Sequence, residues 1–426
     1  MEADRVWLLQ QQLRCGVDRV VYLSLLLGLN PLDIFTQDKN IGVENAHDHH
    51  ASIVKLRKTA SRSKIELQDW SAPNIDAKAW TSVISGCKSP SELQRCLNGL
   101  QNWNKYHLTA AFSKLASFSR GPDAHGAKVA SARLLPTLIS RARENLPRLP
   151  ARSLASVAHC VGTFEHKDKE LMAELAKLSE EHFADFTSQG LSNLIWSFAR
   201  LEVQPSQRWM DGFLRCCQAR LSEFKPQETS IVLWSLARLK FRLTAGKLGD
   251  FLKHVSENLP GYSSHSISNV LWSMGTAEHR PDDDWLDAVS REMVVSAKLH
   301  SFTPQGLSQA LWALSIFRYQ PDSSFKRKVA ARITQLLPSC NAIDIATFVY
   351  AYAALRMPPD QRVLERLQSS ALDRMPSLLP SHLAKTIWAF AKIGAIYPAL
   401  FLPPPRGLFL SDPCHSSQIF RPPNLG

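Results

Sequence analysis

The sequence predicts an all-α fold, an α-solenoid of about 7–8 helix-turn-helix repeats of ~38 residues. Three observations predict it. One apolar-aromatic motif recurs at nearly constant spacing. A second amphipathic phase runs at the same period. No stretch of useful length alternates apolar and polar residues with period two, so almost no sheet is expected.

The motif reads LSNLIWSFARL from Leu191, TSIVLWSLARL from Thr229, ISNVLWSMGTA from Ile267 and LSQALWALSIF from Leu307. It drifts to IATFVYAYAAL from Ile345 and LAKTIWAFAKI from Leu383. The aligned aromatics are Trp196, Trp234, Trp272, Trp312, Tyr350 and Trp388, spaced 38, 38, 40, 38 and 38. Upstream, LASVAHCVGTF from Leu154 places His159 in the aromatic slot, and HLTAAFSKLASF from His107 is a further degenerate copy. This is helix B of each repeat. Helix A follows the second phase, through Leu171, Trp209, Lys247, Trp285, Phe325 and Val363.

Local signals set the ends. Pro226, Pro304 and Pro380 lie eight residues before the B aromatic, a first-turn position. Thr187, Ser263, Thr303 and Asn341 precede that position and can cap it. Phe186, Phe224, Tyr262 or Phe302 comes one residue earlier, and Leu191, Ile267 or Leu307 five residues later, which is hydrophobic-staple spacing. Pro205, Pro281, Pro321 and Pro358 separate B from the next A. One such hairpin cannot bury both faces, so stacked copies are required.

At 100° per residue, positions −5, −2, −1, +2 and +5 from the B aromatic form an apolar core face. Positions −4 and +3 are small (Ser192 and Ala199, Ser308 and Ser315) and admit a close neighbouring helix. Positions −7, −3 and +4 lie beside the aromatic and vary. They supply Gln189, Gln227, His265 and Gln305 at −7, then Asn193, Asn269, Gln309 and Lys385 at −3, then Arg200, Arg238 and Lys392 at +4. Amides of this kind pair with base edges, and Arg or Lys holds phosphates. We take these eleven residues as the candidate nucleic-acid-binding stripe. The plain alternative is a solvated helix face. The aromatics themselves fit the seam between repeats better than base stacking, because the slot also accepts Tyr350 and His159.

The net charge of +12 favours an anionic partner. It is uneven: residues 51–152 hold 17 Lys+Arg against 6 Asp+Glu, residues 201–300 hold 12 against 12, and residues 301–400 hold 11 against 5. The basic footprint sits toward the ends of the folded region. Eight cysteines with no CxxC pair argue against a disulfide scaffold or a zinc knuckle and fit a reducing compartment. The longest apolar run, 20–32, is too short for a membrane span. It lacks the flanks of a secretory signal, and residues 1–50 are too acidic for an organellar presequence.

Catalytic signals are weak. There is no P-loop, no GxGxxG opening a helix, no GxSxG and no HExxH. His47, Asp48, His49 and His50 form the one metal-like cluster and read as a solvated leader. Asp282, Asp283 and Asp284 read as caps of a helix A rather than a magnesium site. Cys216 and Cys217 read as buried rather than redox-active. We therefore expect no catalytic residues, no metal, no cofactor, no membrane and no small-molecule substrate.

The 38-residue unit, best seen in Thr303-Pro304-Gln305-Gly306-Leu307-Ser308-Gln309-Ala310-Leu311-Trp312-Ala313-Leu314, resembles the octotricopeptide repeat family. That family is related to the heptatricopeptide and FAST-kinase-like organellar RNA-binding proteins. The stretch from Ser89 to Leu115 looks like the degenerate leader unit that opens such arrays, and the resemblance covers roughly residues 84–395. It implies sequence-selective single-stranded RNA binding in a mitochondrion or plastid, acting on RNA stability, processing, splicing or translation. Other organellar RNA-processing proteins would be further partners. The RAP domain that closes many relatives, and any nuclease-like activity it carries, is not found. After Ile396 comes a proline-rich tail; either the array stops there or the chain is cut short. The organisation expected is a polar leader over 1–80 with an N-terminal helix, degenerate repeats over 84–165, a regular array over 166–395 and a disordered tail over 396–426. The competing reading is an armadillo- or HEAT-like scaffold that binds protein with the same surface.

Overall fold

The computed structural model describes residues 77–394, apart from 101–102, 121–123, 358, 375–377 and 379. The apolar run 20–32, the cluster His47 to His50, the basic stretch 55–64 and the tail 396–426 lie outside the described residues. Among the described residues there is no strand, and the chain is a succession of α-helical hairpins, as an α-solenoid requires.

The B helices are α1 (Ala77–Gly86), α3 (Lys105–Ser117), α5 (Ala151–Thr163), α7 (Ser188–Leu201), α9 (Pro226–Arg238), α11 (Ser264–Thr276), α14 (Pro304–Ile316), α16 (Ala342–Ala354) and α18 (Pro380–Lys392). The A helices are α2 (Pro90–Asn98), α4 (Ala124–Arg143), α6 (Lys169–Glu181), α8 (Gln207–Ala219), α10 (Ala245–Glu257), α12 (Asp283–Met293) with the short α13 (Ser296–Ser301), α15 (Ser323–Leu336) and α17 (Gln361–Arg374). The first hairpin thus opens at Ala77, ahead of residue 84. The described residues fall into two compact units, 77–292 and 293–394. The boundary lies where the spacing grows from 38 to 40: helix A breaks after Met293 and restarts at Ser296, where other repeats have a single 3-10 turn.

The ends of each B helix follow the expected chemistry. The hydroxyls of Thr187, Ser263 and Thr303 accept the backbone N–H three residues on, each at 3.1 Å, and Asn341 accepts that of Asp344 at 2.9 Å. α5, with Pro150 at its N-cap, and α9 are exceptions. Lys225 stands at the α9 N-cap with no acceptor, and Glu228 reaches back to the Lys225 N–H at 2.9 Å. The staple residues Phe186, Phe224, Tyr262 and Phe302 are buried, as are Leu191, Ile267 and Leu307 beneath them. The C-terminal signal is one the sequence hid. From α5 onward, position +6 from the aromatic slot takes the left-handed conformation: Glu165, Glu202, Lys240, Glu278, Arg318, Arg356 and Gly394, with φ of 51–59° for the six non-glycine residues. The next N–H then bonds five residues back, as in Val203 to Phe198 and Tyr319 to Leu314, closing a Schellman turn. Six of the seven are charged residues, so only at Gly394 does a glycine mark the stop.

Within each unit the B helices pack chiefly on the B helices before and after them, and the A helices touch one another far less. The small residues permit this. Ser192, Ala199, Ser230, Ser268, Ser308 and Ser315 are buried, as are Ser197, Ser235, Ser273, Ala313, Ala351 and Ala389 at +1. One edge of each B helix therefore lies against the +1 edge of the next. A Cβ on Gly162 would sit 3.0 Å from Trp196 Cζ3 and 3.1 Å from Ser197 Cα.

The A helices supply the large core groups. Trp209 is 1% exposed, stacks on Phe213 at 5.2 Å and donates from Nε1 to Ser179 Oγ at 2.9 Å. Trp285 Nε1 donates to the Leu252 carbonyl at 3.2 Å. The A helices also tie repeat to repeat. In four of the joints the carbonyl of the residue before the N-cap accepts a side-chain donor from the following A helix or the residue just after it. Phe186 O accepts from Arg220, Phe224 O from His254 Nε2 at 3.1 Å, Phe302 O from Arg332 at 3.1 Å, and Cys340 O from Arg374 Nε at 3.2 Å.

The acids after Pro281 behave as helix caps. Asp282 accepts the Trp285 N–H at 2.7 Å, and Asp283 pairs with Arg280 at 2.5 Å. Cys217 is buried and burial pushes its thiol well up, while Cys216 Sγ donates to the Phe183 carbonyl at 3.2 Å. Neither is a poised thiolate. Among the described residues no group of three or more His, Cys, Asp and Glu could hold a metal, and no helix is long and apolar enough to cross a membrane.

Candidate nucleic-acid interface

The B helices begin eight residues before their aromatic and end four after it, or five in α7. Positions −7, −3, 0 and +4 therefore share one outward line. The aromatics stand half-buried on it, and Trp388 is 43% exposed. Neighbouring rings touch: His159 and Trp196 at 5.2 Å, Trp234 and Trp272 at 6.2 Å, Tyr350 and Trp388 at 5.6 Å. They fill the seam, as the sequence favours, and still present an edge to solvent.

The amides beside this row are unequal. Gln189, Gln227, His265 and Gln305 are exposed in the first turns of α7, α9, α11 and α14. Asn193 and Gln309 are half-buried. Asn269 is the most enclosed of them. It is 9% exposed and its amide lies 3.4 Å from His265 Nε2, so a side chain expected to face a ligand is turned into its own helix.

The two arginines of the stripe are exposed and paired. Arg200 donates to Glu165 at 2.7 Å, and Arg238 to Glu202 at 2.6 Å. Each carboxylate is the left-handed +6 residue of the preceding repeat, which the Schellman turn aims at position +4 of the next. Arg200, and then Lys128, hold the Glu165 carboxyl below its ordinary range. The charge of each guanidinium is thus balanced within the protein. In the second unit the same two positions hold no acid. Arg318 and Arg356 at +6 and Lys385 and Lys392 on the stripe are exposed and pair with no carboxylate among the described residues. Burial, and then Lys385, hold the His382 imidazole below its ordinary value, so it adds no charge there at neutral pH.

Charge along the sequence follows this division. Residues 77–152 hold 12 Lys+Arg against 3 Asp+Glu, residues 153–292 hold 15 against 19, and residues 293–394 hold 12 against 5. Three cations the stripe does not include, Lys105, Lys114 and Arg152, line a groove across the first B helices. Period alone did not reach them, because in α3 Ser113 stands where later repeats carry the aromatic.

The family model for RNA-editing substrate-binding complex 6 protein (RESC6) matches residues 94–244, about a third of the chain. No curated protein matches the chain.

Proposed function

We propose that the chain is a single-stranded RNA-binding repeat protein of organellar post-transcriptional gene expression, with no chemistry of its own. The observation that carries this reading is the outward line of the B helices. Part-exposed aromatic rings run along it, flanked in the second unit by Arg318, Arg356, Lys385 and Lys392 with no carboxylate to neutralise them. Ring edges of this kind offer apolar contact to bases, while the cations take the phosphates. The match to a family whose name speaks of RNA-editing substrate binding supports the same reading. The octotricopeptide resemblance supports RNA selectivity and an organelle, mitochondrion or plastid. The exposed Gln189, Gln227, His265 and Gln305 are the base-edge readers in this proposal.

Two observations favour a protein partner on part of the surface. Ile316 is 44% exposed and Ile343 50%, both on the outward line of the second unit. Binding of the full chain to a random single-stranded RNA pool, across about 50–300 mM salt and with duplex DNA as competitor, tests the proposal. Micromolar or tighter binding with a log–log salt slope of several units is expected. Failure to bind RNA at the lowest salt removes the RNA reading and leaves the scaffold.

A further inference from the structure

Residues of α1, α3 and α5, with Pro150 just before α5, line an open groove of about 440 Å³ at the start of the first unit. Its charged residues are Lys105, Lys114 and Arg152, and no carboxylate lines it. Its remaining polar lining is almost entirely hydroxyl: Thr81, Ser85, Thr109, Ser113, Ser117 and Ser153, with Tyr106 57% exposed at its edge.

The hydroxyls are oriented. Thr109 donates to the Lys105 carbonyl at 2.6 Å, and Ser117 to the Lys114 carbonyl at 2.7 Å. Ser113 donates to Ser156 Oγ at 3.4 Å, and Ser156 in turn to the Arg152 carbonyl at 3.1 Å. Thr109 Oγ1 also lies 2.5 Å from Ser153 Oγ and, with its own proton on the backbone, accepts from Ser153, so the Ser153 and Ser117 oxygens keep lone pairs for a ligand. Hydroxyl acceptors set between cations repel bare phosphate oxygens at those two positions and welcome a donor there. A ribose 2′-hydroxyl is such a donor, and the phosphates on either side of it suit the lysines and the arginine. The base-stacking slot is empty of an aromatic here, since Ser113 fills it. The groove is built for the sugar–phosphate chain and not for the bases.

We infer that this groove is a seat for the ribose–phosphate backbone of single-stranded RNA, separate from the aromatic line of the later repeats. The inference rests on the RNA reading above. The test uses the full chain with Lys105→Gln, Lys114→Gln and Arg152→Gln combined. The control combines Lys326→Gln, Arg327→Gln and Lys328→Gln on α15, which removes the same charge from an A helix of the second unit. At ~0.7 per phosphate contact on a single strand, the groove variant loses about two from the log–log salt slope, and the control well under one. A separate Thr109→Val, Ser117→Ala variant reduces the preference for RNA over DNA of the same sequence and leaves the salt slope unchanged. If the triple variant fails to fold by circular dichroism, Arg152→Gln alone is read, with a slope loss of ~0.7 expected. RNA binding by the wild type with equal slopes for groove and control variants overturns the groove and spares the RNA reading. Binding of inorganic tripolyphosphate at the groove by a wild type that binds no RNA overturns both, and marks a general anion site.

Discussion

At the scale of single residues, the cation count along a repeat protein misleads unless each cation's partner is known. Arg200 and Arg238 sit where a phosphate clamp is expected, yet Glu165 and Glu202 already occupy them. Surface ion pairs like these contribute ~0–1 kcal/mol to stability, so their main effect is to cancel charge on the outward line. Replacing Arg200 with Gln is therefore expected to change RNA affinity by less than about twofold. Lys392→Gln removes an uncancelled charge and lowers the salt slope by ~0.7. Filter binding of both variants over a salt series separates them; equal losses would mean that Glu165 yields its partner to RNA. The pattern of acids at +6 and bases at +4 was present in the sequence. It carried no meaning until the left-handed turn showed that the two positions meet across a repeat boundary.

At the scale of elements, the B helix was legible almost to the residue. Its proline, its cap, its staple and its apolar face each spoke for the same segment, and agreement among independent local signals fixes a helix well. The irregular elements were less legible. α3 lacked its aromatic, so its phase was uncertain, and the groove beside it went unread. The break between α12 and α13 was visible only as two surplus residues. The C-terminal stops were invisible because charged residues hold a conformation usually given to glycine. α9 offers a direct check of cap logic. Its N-cap Lys225 has no acceptor, while three sister helices have Thr or Ser there. Lys225→Ser is expected to raise stability by roughly 0.5–1 kcal/mol, measured by urea unfolding. No gain would mean that the Glu228 back-bond already supplies what the cap would add.

At the scale of the whole molecule, charge and repeat do not share a boundary. The repeats run through an acidic middle, residues 153–292, between two basic stretches, 77–152 and 293–394. If RNA is held chiefly by backbone charge, ultraviolet cross-links to a bound oligonucleotide concentrate in α3, α5, α16 and α18, and are sparse in α7 and α9. An even distribution over all B helices would place the aromatic line, not the cations, in command of binding. Composition foretold the two basic ends. It did not foretell that the middle repeats spend their arginines on one another, because pairing depends on which residues the turn brings face to face.

The joints between repeats bear on how such a chain changes over generations. Arg220, His254, Arg332 and Arg374 all answer the same backbone carbonyl, so any hairpin's donor serves any predecessor's acceptor. The +6 and +4 side chains are not interchangeable in this way. Loss or gain of one 38-residue unit by recombination among the repeats that share this bond would keep the joint and reshuffle which acids face which bases. Excision of residues 203–240, for example, would set Glu202 opposite Thr276 and leave its charge unanswered. The architecture lets heredity alter the electrostatic message of the surface without rebuilding the frame that carries it.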